Sequence, residues 1–593
     1  MDCRRVLVAS LLAIQALGRL VFSPSELTQT EYDFVIVGVG TAGSVLASRL
    51  SEDPSVSVLA IEAGGSNEDV LATIAPFLAV SLPGTSVDWN YTTPPIEGYN
   101  NRTLGYTRGY GLGGSSVLNL LTWNRGSIDL WNRWASLTGD SGWSWDAMEP
   151  YWLKVDNFVS QNATGKYDPL AHGYSGEVNT SLPGWPTELD PLVCKASAEL
   201  GGRFAWTQDH NSGTFLGTSY MQSAIGGGER SSAATAYLYP VIERANLDVL
   251  VNTRVAKLVE GSSKSGTLSF TSAVLSQGPE DEGVTINAAK EVILSAGVFG
   301  TPQILQLSGI GAKSSIENLG ISTIVDLPDV GEFLKDHPAV AAYYLVNSNN
   351  TFDSLLRNST LFADTLAEWQ ATRSGRFVDS PANTYTFLRW PEESDIYAIH
   401  GDPSSGETSG HMEVIFVDGF AQFGPLAQPA EGSFLTLLAG VVSPTTNGSV
   451  TLNTTNIFDQ PTIAPDFIAS EFDQATMVQV LKDVETFMNA SAWKDFIIGP
   501  YGDFANATTD ALKLQFVRKY GSNINHPVGT ARMSPREASW GVLDAELLVK
   551  GTSGLRVVDA SVFPTIPESH TQAPVYMVAE RAVDLIKAKH LLS

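Results

Sequence analysis

A glycine-rich turn between two apolar segments is the feature that most constrains this chain. Residues 33–37 are typical of a buried strand, Gly38, Gly40 and Gly43 follow, and a helical run leads to a second strand that ends at Glu62. The first glycine of such a turn permits the bend, the second lets backbone approach a pyrophosphate, and the third lets helix pack on strand. The helix N-terminus offers unpaired N–H groups to phosphates, and a carboxylate about 20 residues onward can accept hydrogen bonds from ribose hydroxyls. The pattern predicts a dinucleotide site.

Residues 1–18 predict a secretion signal. Arg4 and Arg5 precede an apolar run over 6–18, and Arg19 follows it. The run is too short to span a bilayer, as signal sequences are. An apolar N-terminus without a sorting role, or a membrane anchor, is the alternative.

Repeated Asn-X-Ser/Thr sequons also favour export, because they are acceptor sites for glycosylation in the secretory pathway. They begin at Asn90, Asn101, Asn162, Asn179, Asn349, Asn358, Asn447, Asn453, Asn489 and Asn506. An exported enzyme cannot count on free nicotinamide cofactor. The predicted dinucleotide is therefore a tightly held FAD, and the expected location is the secretory lumen or the cell exterior.

Length and charge narrow the class further. With 593 residues the chain is too long for one simple core, so two domains are expected. A net charge of −27 argues against nucleic-acid or anionic-membrane partners, although acidity that serves only solubility explains it equally well. Only Cys194 follows the predicted signal, which excludes an intramolecular disulfide and a Cys/His zinc cluster. No metal is predicted.

Three further segments carry candidate chemistry. Residues 108–119 present many backbone amides and few side chains, so they can lie flat against a planar ligand. His526 and His570 each lie among glycine and proline residues that predict shaped turns, and imidazole suits proton removal near neutrality. Residues 336–338, Asp-His-Pro, look like a charge-relay fragment but are interpreted as a structural turn that closes a cofactor-domain segment.

Together these segments resemble the glucose–methanol–choline (GMC) oxidoreductase family, and within it the fungal aryl-alcohol oxidases and related secondary-metabolite alcohol dehydrogenases. The matching segments are 33–64, 108–119, 297–311 and 523–587, with a looser match at 330–337. The resemblance implies an α/β fold with a Rossmann-like FAD-binding domain and a discontinuous α+β substrate-binding domain built on an antiparallel sheet with helices. The expected FAD domain comprises 30–65, 108–160, 215–339 and 511–593, and the expected substrate domain comprises 66–107, 161–214 and 340–510.

The resemblance also assigns roles to single residues. His526 is the implied proton acceptor and His570 the second active-site residue. Besides the glycines and Glu62 of the first motif, the implied flavin contacts are Thr41, Ala42, Arg108, Gly113, Ser116, Asn119, Leu120, Val255, Asp559, Ala560, Thr571 and Gln572. Leu118 stands where some relatives carry a flavin-linking histidine, which implies non-covalent FAD. Asn525 replaces an aromatic residue of aryl-alcohol oxidases and favours a more polar substrate, whereas Tyr106 is expected to form an aromatic wall.

The implied reaction is oxidation of a primary aryl or allylic alcohol to an aldehyde. His526 accepts the hydroxyl proton, a hydride passes to flavin N5, and His570 orients the alcohol oxygen. Dioxygen or a quinone then accepts the electrons, in a monomer or homodimer that acts on small molecules and binds no membrane. A sugar dehydrogenase or oxidase, a lyase or cyclase with structural FAD, and a non-catalytic secreted glycoprotein are the alternatives.

Overall fold

The computed structural model describes residues 19–160, 163, 165–261 and 268–592. The predicted signal and the Asn162 sequon lie outside the described residues.

The first sheet contains nine strands and carries the dinucleotide motif. In spatial order they are Arg19–Val21, Leu247–Leu250, Val58–Ile61, Glu31–Val37, Val284–Leu294, Leu268–Ser276 and Arg254–Gly261, with Leu555–Val557 paired to Val284–Leu294 and Thr552–Ser553 to Leu268–Ser276. The strands around the motif pair in parallel, so that Val35 lies opposite Leu59 on one side and Val292 on the other. Both faces of these strands are covered, which explains their nearly continuous apolar sequences.

Twelve α-helices are present in the described part of the chain. They are Thr41–Leu50, Ile128–Thr138, Trp145–Val155, Leu189–Leu200, Gly297–Leu307, Lys313–Glu317, Phe352–Arg357, Ser359–Thr372, Asp395–His400, Glu471–Met488, Asp510–Tyr520 and Gln572–His590. The Gln572–His590 helix packs against Thr41–Leu50 and Trp145–Val155 beside the first sheet. Tryptophans fill much of this core, and those buried there are Trp123, Trp131, Trp134, Trp143 and Trp152.

The second sheet is antiparallel throughout and has its own apolar core. Its strands run in the order Ile497–Pro500, Pro338–Val346, Ser433–Val441, Met412–Val417, Ala382–Leu388 and Gly217–Tyr220, with Ser522–Asn523 paired to Pro338–Val346. The Glu471–Met488 helix packs across Ser433–Val441. These two sheets confirm the predicted fold class: an α/β dinucleotide-binding domain joined to a second domain on an antiparallel sheet.

Short strand pairs complete the structure. They are Tyr91–Thr92 with Gly105–Tyr106, Asp156–Phe158 with Val178–Thr180, Ile225–Gly226 with Glu229–Arg230, Ile310–Gly311 with Val325–Asp326, and Glu332–Leu334 with Gly448–Thr451 and Thr462–Ala464.

Two segments lie on a different sheet from the one that the predicted domain boundaries imply, and a third falls outside those boundaries. Arg19–Val21 joins the first sheet, ahead of the expected start at residue 30. Gly217–Tyr220 pairs with Ala382–Leu388 in the second sheet, and Ser522–Asn523 pairs with Pro338–Val346 there. The Asp510–Tyr520 helix also adds Phe516 and Val517 to the second core. Such pairings join residues far apart in sequence, so local patterns do not reveal them.

The sequons differ in accessibility. Asn90, Asn101, Asn349, Asn358, Asn447, Asn453, Asn489 and Asn506 are exposed. Asn179 is half-buried in a strand, and its side-chain oxygen accepts a 2.8 Å hydrogen bond from Asn157. Within the described ranges, no helix combines the length and apolarity needed to cross a bilayer.

Candidate active site

An open cavity of about 1330 Å³ lies between the two sheets. Its walls include the glycine turn after the Glu31–Val37 strand, the 108–119 loop, and both predicted catalytic histidines, His526 and His570. The opposite wall comes from the second sheet and the loop that follows Met412–Val417. The fold thus brings together motifs that are separated by hundreds of residues.

The glycine turn leaves the helix N-terminus open to this cavity. Gly38 has a φ of 93°, and a Cβ at Gly43 would lie only 1.9 Å from the Gly38 carbonyl oxygen. Gly40, Thr41 and Ala42 line the cavity, and Gly40 caps the helix without a side-chain hydrogen bond. The first-turn N–H groups and the positive end of the helix dipole are therefore available to an anion such as a phosphate.

Glu62 lies at the end of the second strand and also lines the cavity. Its carboxylate accepts hydrogen bonds from the backbone N–H groups of Val39 and Gly64, both at 2.9 Å, and of Gly111 at 3.2 Å. Burial raises the pKa of Glu62 to about 7, although these N–H donors act to lower it. The carboxylate thereby ties the two glycine-rich loops together, and its place at the end of the second strand is where such a residue contacts the ribose of a dinucleotide.

The second glycine-rich loop is held by Arg108. Its Nε donates to Ser115 Oγ at 3.1 Å, and its Nη1 donates to the carbonyl of Asn525 at 2.9 Å, which connects the loop to the His526 segment. Ser116 lines the cavity, but its hydroxyl already donates to the Gly113 carbonyl at 2.6 Å. Gly113, like Gly43, lies outside the cavity lining.

A buried arginine that the sequence analysis missed supports the Asn119 segment. Arg230 donates to the side-chain oxygen of Asn119 at 2.7 Å and to its backbone carbonyl at 2.8 Å. The Asn119 amide in turn donates to the side-chain oxygen of Gln572. Gln572 lines the cavity, and its Nε2 is a buried donor without a partner among the described residues.

The remaining predicted cofactor contacts also reach the cavity. Asp559 fixes the neighbouring turn by accepting from Thr301 Oγ1 at 2.6 Å and from the Gly297 N–H at 3.0 Å. The other members in the lining are Leu120, Val255, Ala560 and Thr571.

His526 and His570 converge on one side of the cavity. Their ring centroids are 4.6 Å apart and their planes meet at 70°. Burial holds the pKa of His526 well below its ordinary value, and His570, His337 and Arg108 act in the same direction. His526 is therefore a neutral imidazole near neutral pH, as a general base must be before it accepts a proton.

His570 is oriented by two residues that carry no sequence signal. Its Nε2 is 2.7 Å from the Glu413 carboxylate, and its backbone N–H donates to Asn124 Oδ1 at 3.0 Å. Glu413 is buried on the Met412–Val417 strand of the second domain. With Nε2 bound to Glu413, Nδ1 is the ring atom left to meet a substrate.

The interpretation of residues 336–338 as only a structural turn is incomplete. The Asp336 carboxylate accepts from the backbone N–H groups of both His337 and His526, each at 2.7 Å. The Nδ1 atoms of the two histidines lie 3.0 Å apart. Burial raises the pKa of Asp336 to about 6 and lowers that of His337 to about 3. The sequence contained one indication that residues 336–338 and His526 are related, because His337 and His526 both precede proline.

Of the two predicted substrate residues, only Asn525 lines the cavity. Asn525 has a φ of 59°, a left-handed conformation that asparagine tolerates better than most residues. Tyr106 is buried behind the wall, where its hydroxyl donates to Asp336. The structure therefore assigns Tyr106 to the support of the histidine segment and not to an aromatic wall.

Comparison with known proteins identifies the class to which this fold and site belong. GMC oxidoreductase family descriptions match residues 32–339 and 444–579. The chain belongs to the GMC oxidoreductase family, and this confirms the resemblance inferred from its motifs.

Several proteins are similar over nearly the whole chain. Dehydrogenase eriK of Hericium erinaceus is 39% identical, with 98% of each chain covered. Pyranose dehydrogenase 3 of Leucoagaricus meleagris is 38% identical over 95% of this chain and 94% of its own. A variant formate oxidase of Aspergillus oryzae RIB40 superimposes with a TM-score of 0.87 at 31% identity, covering 95% and 99% of the two chains.

The protein is thus an FAD-dependent oxidoreductase. The open helix N-terminus and the Glu62 position fit FAD. These groups line one continuous cavity with His526 and His570, here called the FAD chamber.

Proposed function

We propose that this protein oxidises a primary alcohol with an aromatic or allylic body to the corresponding aldehyde. The observation that carries the proposal is the neutral imidazole of His526, which faces the FAD chamber with Nε2 free of partners among the described residues. An alcohol is too weak an acid to lose its proton unaided near neutral pH, so a positioned base is required.

Each catalytic residue then has one role. His526 Nε2 accepts the hydroxyl proton, while His570, held by Glu413, orients the alcohol oxygen. Bound FAD supplies a two-electron acceptor for the hydrogen that leaves the carbinol carbon. General-base catalysis contributes about 10²–10⁴-fold, and fixed orientation of the reactants adds to this.

The wall next to the histidines favours an apolar substrate body. Glu413, Ile415 and Val417 share one face of their strand, because side chains alternate between faces. Since Glu413 touches His570, the two apolar residues line the cavity beside the histidine pair. Aromatic side chains extend this wall, namely Phe77, Phe352, Phe420 and Phe423.

Sugar oxidation is the second candidate, because pyranose dehydrogenases are 36–38% identical to this chain. Asn525, Gln422 and Gln428 add hydrogen-bonding groups to the cavity and would serve a polyhydroxy substrate. The apolar residues around Glu413 make a pyranose the less favoured substrate, since burying hydroxyl groups without partners costs free energy.

Anaerobic mixing tests the proposal. Holoenzyme is mixed with benzylic alcohols, allylic alcohols, glucose and other pyranoses, and the visible absorbance of the flavin is followed. We expect rapid bleaching by aryl or allylic alcohols and slow bleaching by sugars. Faster bleaching by pyranoses would overturn the alcohol proposal, and no bleaching by any donor would favour a lyase or cyclase with structural FAD. Peroxide yield under air then separates an oxidase from a quinone-dependent dehydrogenase.

Two further properties are proposed with this activity. Leu118 lines the cavity with a side chain that cannot form a bond to flavin, which supports non-covalent FAD. Acid precipitation should therefore release the yellow colour into the supernatant. The exposed sequons support secretion with N-glycosylation, and deglycosylation of protein from its native host should lower its apparent mass.

A further inference from the structure

His337 approaches the catalytic base on the side opposite to the substrate. Its Nδ1 lies 3.0 Å from Nδ1 of His526, and the two rings are nearly perpendicular at 85°. A neutral imidazole carries one proton, so one of these nitrogens donates and the other accepts. Which of them donates decides whether Nε2 of His526 faces the chamber as a base or as an N–H group.

The role of His526 as base favours one answer. His526 lines the cavity, and its Nε2 has no partner among the described residues, so Nε2 must be unprotonated to accept the hydroxyl proton. The single proton of the neutral His526 ring then lies on Nδ1, and the facing Nδ1 of His337 must present a lone pair. His337 therefore carries its own proton on the buried Nε2.

We propose that His337 is a positioning residue that sets the tautomer of His526. His337 Nδ1 accepts the Nδ1–H of His526, which leaves Nε2 of His526 unprotonated and directed at the substrate. This inference rests on the proposed role of His526 as base. Pairing through the second ring nitrogen is the usual way in which a histidine tautomer is selected.

The proton balance of the catalytic step follows from this arrangement. The substrate O–H bond breaks and its proton forms a bond to Nε2 of His526. The electron pair of that bond forms the second bond of the aldehyde C=O as the carbinol C–H bond breaks. Bound FAD would supply the two-electron acceptor for the departing hydrogen and its electron pair. The Nδ1–H bond of His526 is retained throughout, so the resulting imidazolium still donates to His337. No proton has to enter His337, which agrees with its complete burial.

Asp336 fixes the backbones of His337 and His526 relative to each other. Its Oδ1 accepts both backbone N–H groups, and its Oδ2 receives the Tyr106 hydroxyl and the Asn523 amide at 3.3 Å. Each histidine precedes a proline, which restricts its backbone to extended conformations. The backbones that carry the two rings are therefore fixed relative to each other, which favours the Nδ1–Nδ1 contact.

Two substitutions of similar size test the proposal. His337→Gln can place its amide oxygen toward His526 Nδ1, which restores a hydrogen-bond acceptor there. His337→Met fills the space without an acceptor. In anaerobic stopped-flow experiments we expect the limiting rate of flavin reduction to fall about 10²-fold in His337→Met and by less than 10-fold in His337→Gln, because misplacement of a catalytic group costs about this much.

The controls separate tautomer selection from structural damage. Both variants should retain FAD absorbance and the substrate dissociation constant from the same titration, and their melting temperatures should be alike. Equal reduction rates in His337→Met and wild type would overturn the proposal. Equally low rates in His337→Gln and His337→Met at similar stability would also overturn it. His526 is intact in both variants, so these measurements test only the role of His337. The role of His526 as base is tested separately by His526→Ala.

Discussion

His526 and His172 are both enclosed by protein, yet their neighbours set opposite charges on them. The ring of His526 meets two other imidazoles and no carboxylate of the described residues, and its pKa lies well below the ordinary value. The ring of His172 lies 2.9 Å from the carboxylates of both Asp156 and Asp209. Burial acts to lower the pKa of His172, but its hydrogen bonds to the two aspartates raise it to about 9.

The comparison shows that burial alone does not decide the protonation of a histidine. One cluster keeps a neutral ring next to the FAD chamber, where a base is needed. The other keeps a cation between two anions and stacks it on Phe158 at 4.1 Å, away from the cavity lining. We expect the first arrangement to serve chemistry and the second to serve stability.

The largest expected effect is on catalysis at the neutral cluster. His526→Ala should slow flavin reduction by the preferred alcohol by about 10²–10⁴-fold, because it removes the general base. Anaerobic stopped-flow measures the rate, and flavin absorbance shows that FAD still binds. A near-native rate of flavin reduction would show that His526 is not the base. His526 and His172 would then not differ in function.

Substitution of His172 should lower the free energy of unfolding and leave the rate of flavin reduction unchanged. His172→Gln leaves two buried carboxylates without their cation, which costs about 3–5 kcal/mol of unfolding free energy when a buried pair loses one partner. Urea unfolding measures this loss. The matched control is His400→Gln at an exposed position, where a change of about 0.5 kcal/mol or less is expected. A reduction rate per flavin that falls with His172→Gln would contradict the separation of roles.

The smallest effect is a difference in pH dependence. The pKa of His172 is about 9 in the folded protein against about 6.5 when unfolded, so its stabilising effect is full below pH 6.5 and is lost as pH rises through 9. The pKa of His337 is lowered to about 3, so the unfolded chain binds the extra proton first and stability falls as pH drops below about 6.5.

Difference profiles isolate these two contributions from the many other titrating groups. Relative to wild type, the stability deficit of His172→Gln should shrink between pH 6.5 and 9, and His337→Gln should lose less stability on acidification below pH 6.5. Chemical unfolding at each pH supplies the curves. A deficit of His172→Gln that stays constant from pH 6 to 9 would mean that His172 is not charged in the folded protein.

Much of the FAD-binding site could be predicted from the sequence because its residues lie close together along the chain. The strand, the glycine turn, the helix and Glu62 occupy one short segment. Gly38 and Gly43 are required there because a Cβ at either position would clash with backbone atoms. The same reasoning placed His526 and His570 in shaped turns, and the resemblance built on these motifs led to the family.

Tertiary structure alone decided the surroundings of these residues. The sequence determined the dinucleotide fold, the α/β class and the histidine pair, because periodicity and turn chemistry are properties of neighbouring residues. It did not determine that Glu413 would reach His570, that Asp336 and His337 would support His526, or that Tyr106 would lie behind the wall. Those contacts arise where separate strands and loops meet, and hydrogen bonding and desolvation there depend on partners that local sequence does not specify.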